Sequence, residues 1–129
     1  MTASITALYA GFTGLLLLAL SYQVVRNRVR ARVSIGAGED KGLMRAIRVQ
    51  ANLAEYAPAV LILMLVLELQ GTSAWLLHGC GAVFIVARVG HALGMSGTGG
   101  VSSGRRAGIA GTWLVILVLS VAAILSWLV

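Results

Sequence analysis

Four stretches of the chain are long and apolar enough to cross a lipid bilayer, running from about Ser4 to Val25, Leu43 to Leu69, Trp75 to Met95 and Ala107 to Leu128. A crossing takes roughly 20 mostly apolar residues, because about 30 Å of hydrocarbon is covered at about 1.5 Å per residue. Backbone amides in lipid must be bonded within their own segment, so each stretch predicts a helix. Barrel strands would show short alternating runs instead. The second stretch stands apart: polar residues recur along it as far as Tyr56, and only after that is it apolar without interruption, up to Glu68 at its end.

The pattern predicts an all-α protein, an integral membrane four-helix bundle forming one domain over residues 1–129. Composition agrees, with 59% hydrophobic and 11% charged residues, against about a quarter charged in soluble domains. Such a chain cannot cover itself with a polar surface, so membrane lipid is its expected solvent. A net charge of +6 could suggest nucleic acid, but the placement of the charges argues against it. Arg26, Arg28, Arg30, Arg32 and Lys41 lie between the first two spans, Arg45 and Arg48 open the second, and Arg105 and Arg106 precede the fourth. The two ends and the Gln70 to Ala74 turn carry no Lys or Arg. The positive-inside bias therefore places the basic connections in the cytoplasm and both termini outside. No basic segment or small-residue cleavage site precedes the first span, so it reads as a retained helix. With no eukaryotic targeting signal in view, a bacterial inner membrane is the expected location. Trp75, Trp113 and Trp127 fall near span ends, as interfacial rings do, although Trp113 is deep for that role.

The Ser/Gly-rich stretch from Gly94 to Gly104 lacks the Gly-Lys-Ser/Thr ending of a phosphate-binding loop and reads as a flexible linker. Gly90 with Gly94, and Gly104 with Gly108, have the four-residue spacing that permits close helix contact. The lone Cys80 cannot form an internal disulfide. His78 and His91 have no spaced carboxylate or cysteine beside them, so no metal site is expected.

The chemistry concentrates in the segment from Arg45 to Pro58. At about 100° per residue, Arg45, Arg48, Asn52 and Glu55 point along about 0°, 300°, 340° and 280°, an arc of about 80° on one helix face. The stripe extends about 15 Å along the axis, which sinks Glu55 into the bilayer if Arg45 marks the boundary. A carboxylate facing lipid costs several kcal/mol, so the stripe is expected to face protein or a wet cavity. Pro58 removes a backbone donor beside it. Arg88, inside the third span, is under the same constraint and is a natural partner for Glu55. The plain alternative is a purely stabilising Glu55–Arg88 pair, with Arg45 and Arg48 reaching for headgroups. Glu68, at the outer end of the second span, reads as solvated.

A cavity with several arginines and one glutamate favours an anion, since guanidinium forks match carboxylates in bidentate geometry. A single Glu suits a ligand amine. The set fits a small zwitterion with more than one carboxylate, and a thiol on that ligand would be drawn toward its thiolate form by the guanidinium groups.

The run Arg48-Val-Gln50-Ala-Asn52-Leu-Ala-Glu55-Tyr56-Ala-Pro58 closely resembles the signature of the MAPEG family, the membrane-associated proteins of eicosanoid and glutathione metabolism. Span number, span lengths, the basic first connection and an Ala-Arg in the third span agree. The resemblance implies a homotrimer of four-helix subunits, with glutathione as co-substrate bound between neighbours and a lipophilic small molecule entering from the bilayer. It assigns Arg48, Asn52, Glu55 and Tyr56 to glutathione, with Gln50 as a further contact. Arg88 matches the third-helix arginine that contacts the tripeptide, and Arg26 or Arg28 matches an arginine at the end of the first helix. The catalytic arginine that activates the thiol near the start of the fourth helix corresponds to Arg105 or Arg106. The family places tyrosines three and seven residues after the third-helix arginine. This chain has His91, counted with the glutathione-binding set, and Met95. The implied activity is that of a glutathione transferase or peroxidase acting on lipophilic electrophiles.

Two other classes remain. One is a small proton-coupled exporter using Glu55 as carrier, which the surrounding arginines disfavour. The other is a non-catalytic membrane protein retaining the fold.

Overall fold

A computed structural model describes residues 2–96, with Ser96 by its backbone alone, and residues 102–128. It contains four helices: α1 (Ser4–Ala31), α2 (Lys41–Leu69), α3 (Ala74–Ser96) and α4 (Ser103–Ser126). All four are long and apolar enough to cross a membrane. The protein is an integral, multi-pass membrane protein. The middle of the expected Ser/Gly linker, residues 97–101, lies outside the described residues.

α1 continues past Val25 to Ala31, so Arg26, Arg28 and Arg30 stand on helix where the sequence suggested a connection. Arginine is a good helix former and no Gly or Pro intervenes before Gly36, so nothing in this segment stops the helix. It ends at Arg32, whose φ of 55° turns the chain left-handed while its N–H donates to the carbonyls of Arg28 and Val29. Asp40 starts α2 by accepting from the Leu43 N–H at 2.7 Å. Pro58 lies inside α2 without ending it. Ser102 starts α4: its hydroxyl accepts from the Arg105 N–H and donates to the Gly94 carbonyl at 2.8 Å, which pins the two ends of the α3–α4 connection together.

The closest-packed helix pairs are α3 with α4 and α1 with α2, while α1 and α4 do not touch among the described residues. The core between them holds Leu53, Val60, Met64, Leu77, Phe84 and Leu119, each 2% exposed or less. Outward positions are apolar as well, including Leu15, Leu18, Val86, Leu93 and Ile124. Apolar side chains on both the inner and outer faces are what a lipid-solvated bundle requires.

Small residues set the α3–α4 spacing. A Cβ on Gly108 would lie 2.7 Å from the His91 Cβ, and one on Gly94 would lie 2.6 Å from the Arg105 amide nitrogen. The glycine spacing in the sequence thus marks a real close approach.

The outer end corrects one expectation. Glu68 does not simply face solvent: its two oxygens accept from the Ile5 N–H at 2.8 Å and the Thr6 N–H at 2.7 Å. α1 has no side-chain cap of its own, so a carboxylate from α2 satisfies two orphan donors of its first turn. Tyr9 hydrogen-bonds to His78 nearby, through the imidazole Nδ1 and the backbone carbonyl.

Candidate functional site

The polar stripe of α2 reaches from the first turns of the helix to its middle. Glu55 is the fifteenth of 29 residues in α2, about 21 Å from either end of the helix. Two groups of residues emerge around it, one inside the bundle and one outside.

The inner group is organised by Arg88, which is 2% exposed. One of its terminal nitrogens, Nη1, donates to the Asn52 side-chain oxygen, and Nη2 donates to the Gly108 carbonyl at 2.8 Å. Its guanidinium carbon stands 5.7 Å from the centre of the Tyr56 ring, a cation–π distance. Its Nε has no hydrogen-bond partner. Tyr56 is held in turn by Trp113, whose indole N–H donates to the phenol oxygen at 3.0 Å. Thr112 also donates to the Gly108 carbonyl, at 2.9 Å. Arg88 therefore joins α2, α3 and α4 through neutral acceptors and a ring, with no carboxylate among its contacts to the described residues.

The outer group is Arg48 and Glu55. Their nearest charged atoms are 3.9 Å apart, and both side chains are more than half exposed. The expected Glu55–Arg88 partnership does not form. Arg88 extends into the seam between α2 and α4, where Asn52 and Gly108 meet it, whereas Glu55, some 60° round α2 from Asn52, leaves the bundle surface. Arg48, two turns earlier on that outer face, takes its place.

The remaining sequence candidates divide by position. Gln50 lies about 140° from Glu55 around α2 and donates to the Ser21 hydroxyl of α1 at 3.3 Å. Arg26 is exposed on α1. Arg28 is occupied in the connection after α1, donating to the carbonyls of Ser34 and Gly36. His91 is buried one turn beyond Arg88, against Gly108. Arg105 and Arg106 occupy the first turn of α4, Arg105 partly buried beside Gly94 and Arg106 exposed. Arg48, Asn52, Glu55, Tyr56 and Arg88 thus cluster around one side of α2, while Gln50 and Arg26 belong to the opposite side.

Sequence reasoning missed two participants. A backbone carbonyl, that of Gly108, leaves no trace in residue chemistry. Trp113 did leave one, in being too deep for an interfacial anchor.

The arrangement is a fixed cation inside the bundle, backed by an aromatic ring, with a loose ion pair on the exposed surface of the subunit in front of it. Comparison with known sequences agrees with the motif that builds it. The sequence model described as the MAPEG family matches residues 6–125. The chain is 37% identical over 118 residues to Inner membrane protein YecN of Escherichia coli strain K12, covering 92% of this chain and 88% of the relative. The same protein of Escherichia coli O6:H1 strain CFT073 matches with the same identity and coverage. No solved structure matches. With nearly the whole chain covered by the family and its signature forming the polar cluster, this protein belongs to the MAPEG family.

Proposed function

We propose that this protein is a glutathione-dependent transferase or peroxidase of a bacterial inner membrane, acting on lipophilic electrophiles. The observation that carries the reading is the exposed Arg48–Glu55 pair at the middle of α2. A carboxylate and a guanidinium at that depth are too costly to leave against hydrocarbon, so a ligand and a neighbouring protein surface must cover them. Arg48 supplies a fork for a carboxylate, and Glu55 an acceptor for an amine. The buried guanidinium of Arg88 adds positive field without a counter-charge. These groups match the ends of glutathione.

A homotrimer completes the site. Gln50 lies on the far side of α2 from Glu55, so one subunit cannot bring both to a single ligand. A second copy, presenting its own Gln50 and Arg28 to the Glu55 face, does so. Arg105 or Arg106 would hold the sulfur as thiolate, and the electrophile would arrive through the lipid against the exposed face that includes Trp113.

The test is glutathione binding in detergent, where a ligand of the folded state raises the melting temperature by mass action. A rise at millimolar glutathione, absent in Glu55→Gln, together with turnover of chlorodinitrobenzene, is expected. A folded protein that shows no shift would rule out the glutathione reading.

A further inference from the structure

A second polar region lies on another side of α2, at its cytoplasmic start. Gln23, Asn27 and Arg30 of α1, Gly42, Arg45, Ala46 and Val49 of α2, and Met95 of α3 enclose a cavity of about 210 Å³. It adjoins a second hollow of about 410 Å³ along α1 that shares Gln23, Asn27 and Arg30 and adds Arg26.

Helix phase turns this basin away from the Arg48–Glu55 pair, with Arg45 at the edge that the two sides share. Its α2 walls point, on average, along about 50° in the frame where Arg45 is 0°. Arg48 and Glu55 point along about 290°, about 120° away around the helix. On α1 the lining residues Gln23, Arg26, Asn27 and Arg30 share an arc of about 100°. Beside it, on the next arc, stand Leu15, Leu18, Tyr22 and Val25, all more than half exposed.

Charge and depth identify an occupant. Three guanidinium groups and two side-chain amides line the basin, and among the described residues no carboxylate does. Arg30 also donates to Asp40, at 2.9 and 3.0 Å, which anchors it at the wall. Arg26 follows directly on the apolar run that ends at Val25, so the basin sits at headgroup level. The apolar ledge of Leu15, Leu18, Tyr22 and Val25 continues from it down the outward side of α1 into the apolar span. We propose that this basin is a phosphate oxyanion site, filled by the headgroup of an anionic phospholipid whose chains lie along that ledge. Guanidinium forks and amide donors suit a phosphodiester, and the ledge favours a lipid over a dissolved phosphate. The inference stands apart from the glutathione reading.

The test uses the full-length protein in uncharged detergent. Dihexanoyl phosphatidylglycerol, dihexanoyl phosphatidylcholine and inorganic phosphate are titrated separately, and binding is followed by native mass spectrometry and thermal shift. Phosphatidylglycerol should bind most tightly. Arg30→Gln with Arg45→Gln should weaken it about 25-fold, at about fivefold per guanidinium, while Arg32→Gln, which removes an equal charge from outside the basin, should leave it unchanged. If the double variant fails to fold, Asn27→Leu keeps every charge and should abolish binding by filling the wall. Equal weakening by Arg32→Gln would reduce the effect to diffuse surface charge and overturn the proposal. So would inorganic phosphate binding as tightly as the lipid, which would make the occupant a solute. Displacement of the lipid by glutathione would also overturn it, by merging the basin with the other site.

Discussion

Arg88 of α3 donates to the backbone carbonyl of Gly108 in α4 at 2.8 Å, at a level where the two helices approach closely. The contact is available because Gly108 has no side chain to hold the helices apart. A buried cation is thereby fixed by a main-chain atom that side-chain substitution cannot remove, and its other arm orients Asn52.

Replacing Arg88 by Met should destabilise the protein by about 2 kcal/mol, the scale for hydrogen bonds to a charged group whose partners remain buried. Unfolding in a detergent titration measures this. Arg88→Lys should recover only part of the loss, because an ammonium is a point charge without the fork.

Gly108→Val introduces a Cβ 2.7 Å from that of His91 and should destabilise by about 1–3 kcal/mol through forced separation of α3 and α4. Gly11→Ala, where nothing lies within 4 Å of the added carbon, should cost nothing and stabilise by up to about 1 kcal/mol, the helix-propensity gain of Ala over Gly. The comparison checks that helix spacing, and not glycine content, is responsible.

Glu55→Gln should leave unfolding within about 0.5 kcal/mol of the parent, since the side chain is exposed in the subunit and meets only Arg48, distantly. The same variant should weaken glutathione binding at least about tenfold, a loss of about 1.4 kcal/mol. Calorimetry and thermal unfolding on one sample separate the two effects.

Glu68→Gln should fray the start of α1 at a cost of about 1 kcal/mol, the usual effect of losing a helix cap. Hydrogen exchange should show faster exchange at Ile5 and Thr6 with little change at Thr13 in the next turns.

The helices were legible because lipid imposes a single rule, and runs of about twenty apolar residues obey it visibly. Sharing of one α2 side by Arg48, Asn52 and Glu55 followed from helix phase alone. What could not be read was how α3 is turned about its own axis. Residue spacing fixes directions within a helix and says nothing about a neighbouring one, so Glu55 and Arg88 looked like partners although Asn52 and a carbonyl receive the guanidinium. Glu68 was misjudged for a related reason. Its partners lie more than sixty residues away, and the available clue was the missing cap: Ala3 stands where a Ser or Asp would ordinarily hold the first turn. The extension of α1 to Ala31 was hidden by its arginines, which mark the membrane boundary but do not break a helix.

The preference of each helix for its sequence neighbour, α1 for α2 and α3 for α4, has a bearing on biogenesis. Each pair can close as a hairpin soon after it is inserted, with little entropy spent on joining distant segments. Asn52 and Tyr56 belong to one hairpin, whereas Arg88, Gly108 and Trp113 belong to the other. Neither hairpin alone contains the centre of the polar cluster, so the nascent protein acquires it only when the two halves dock.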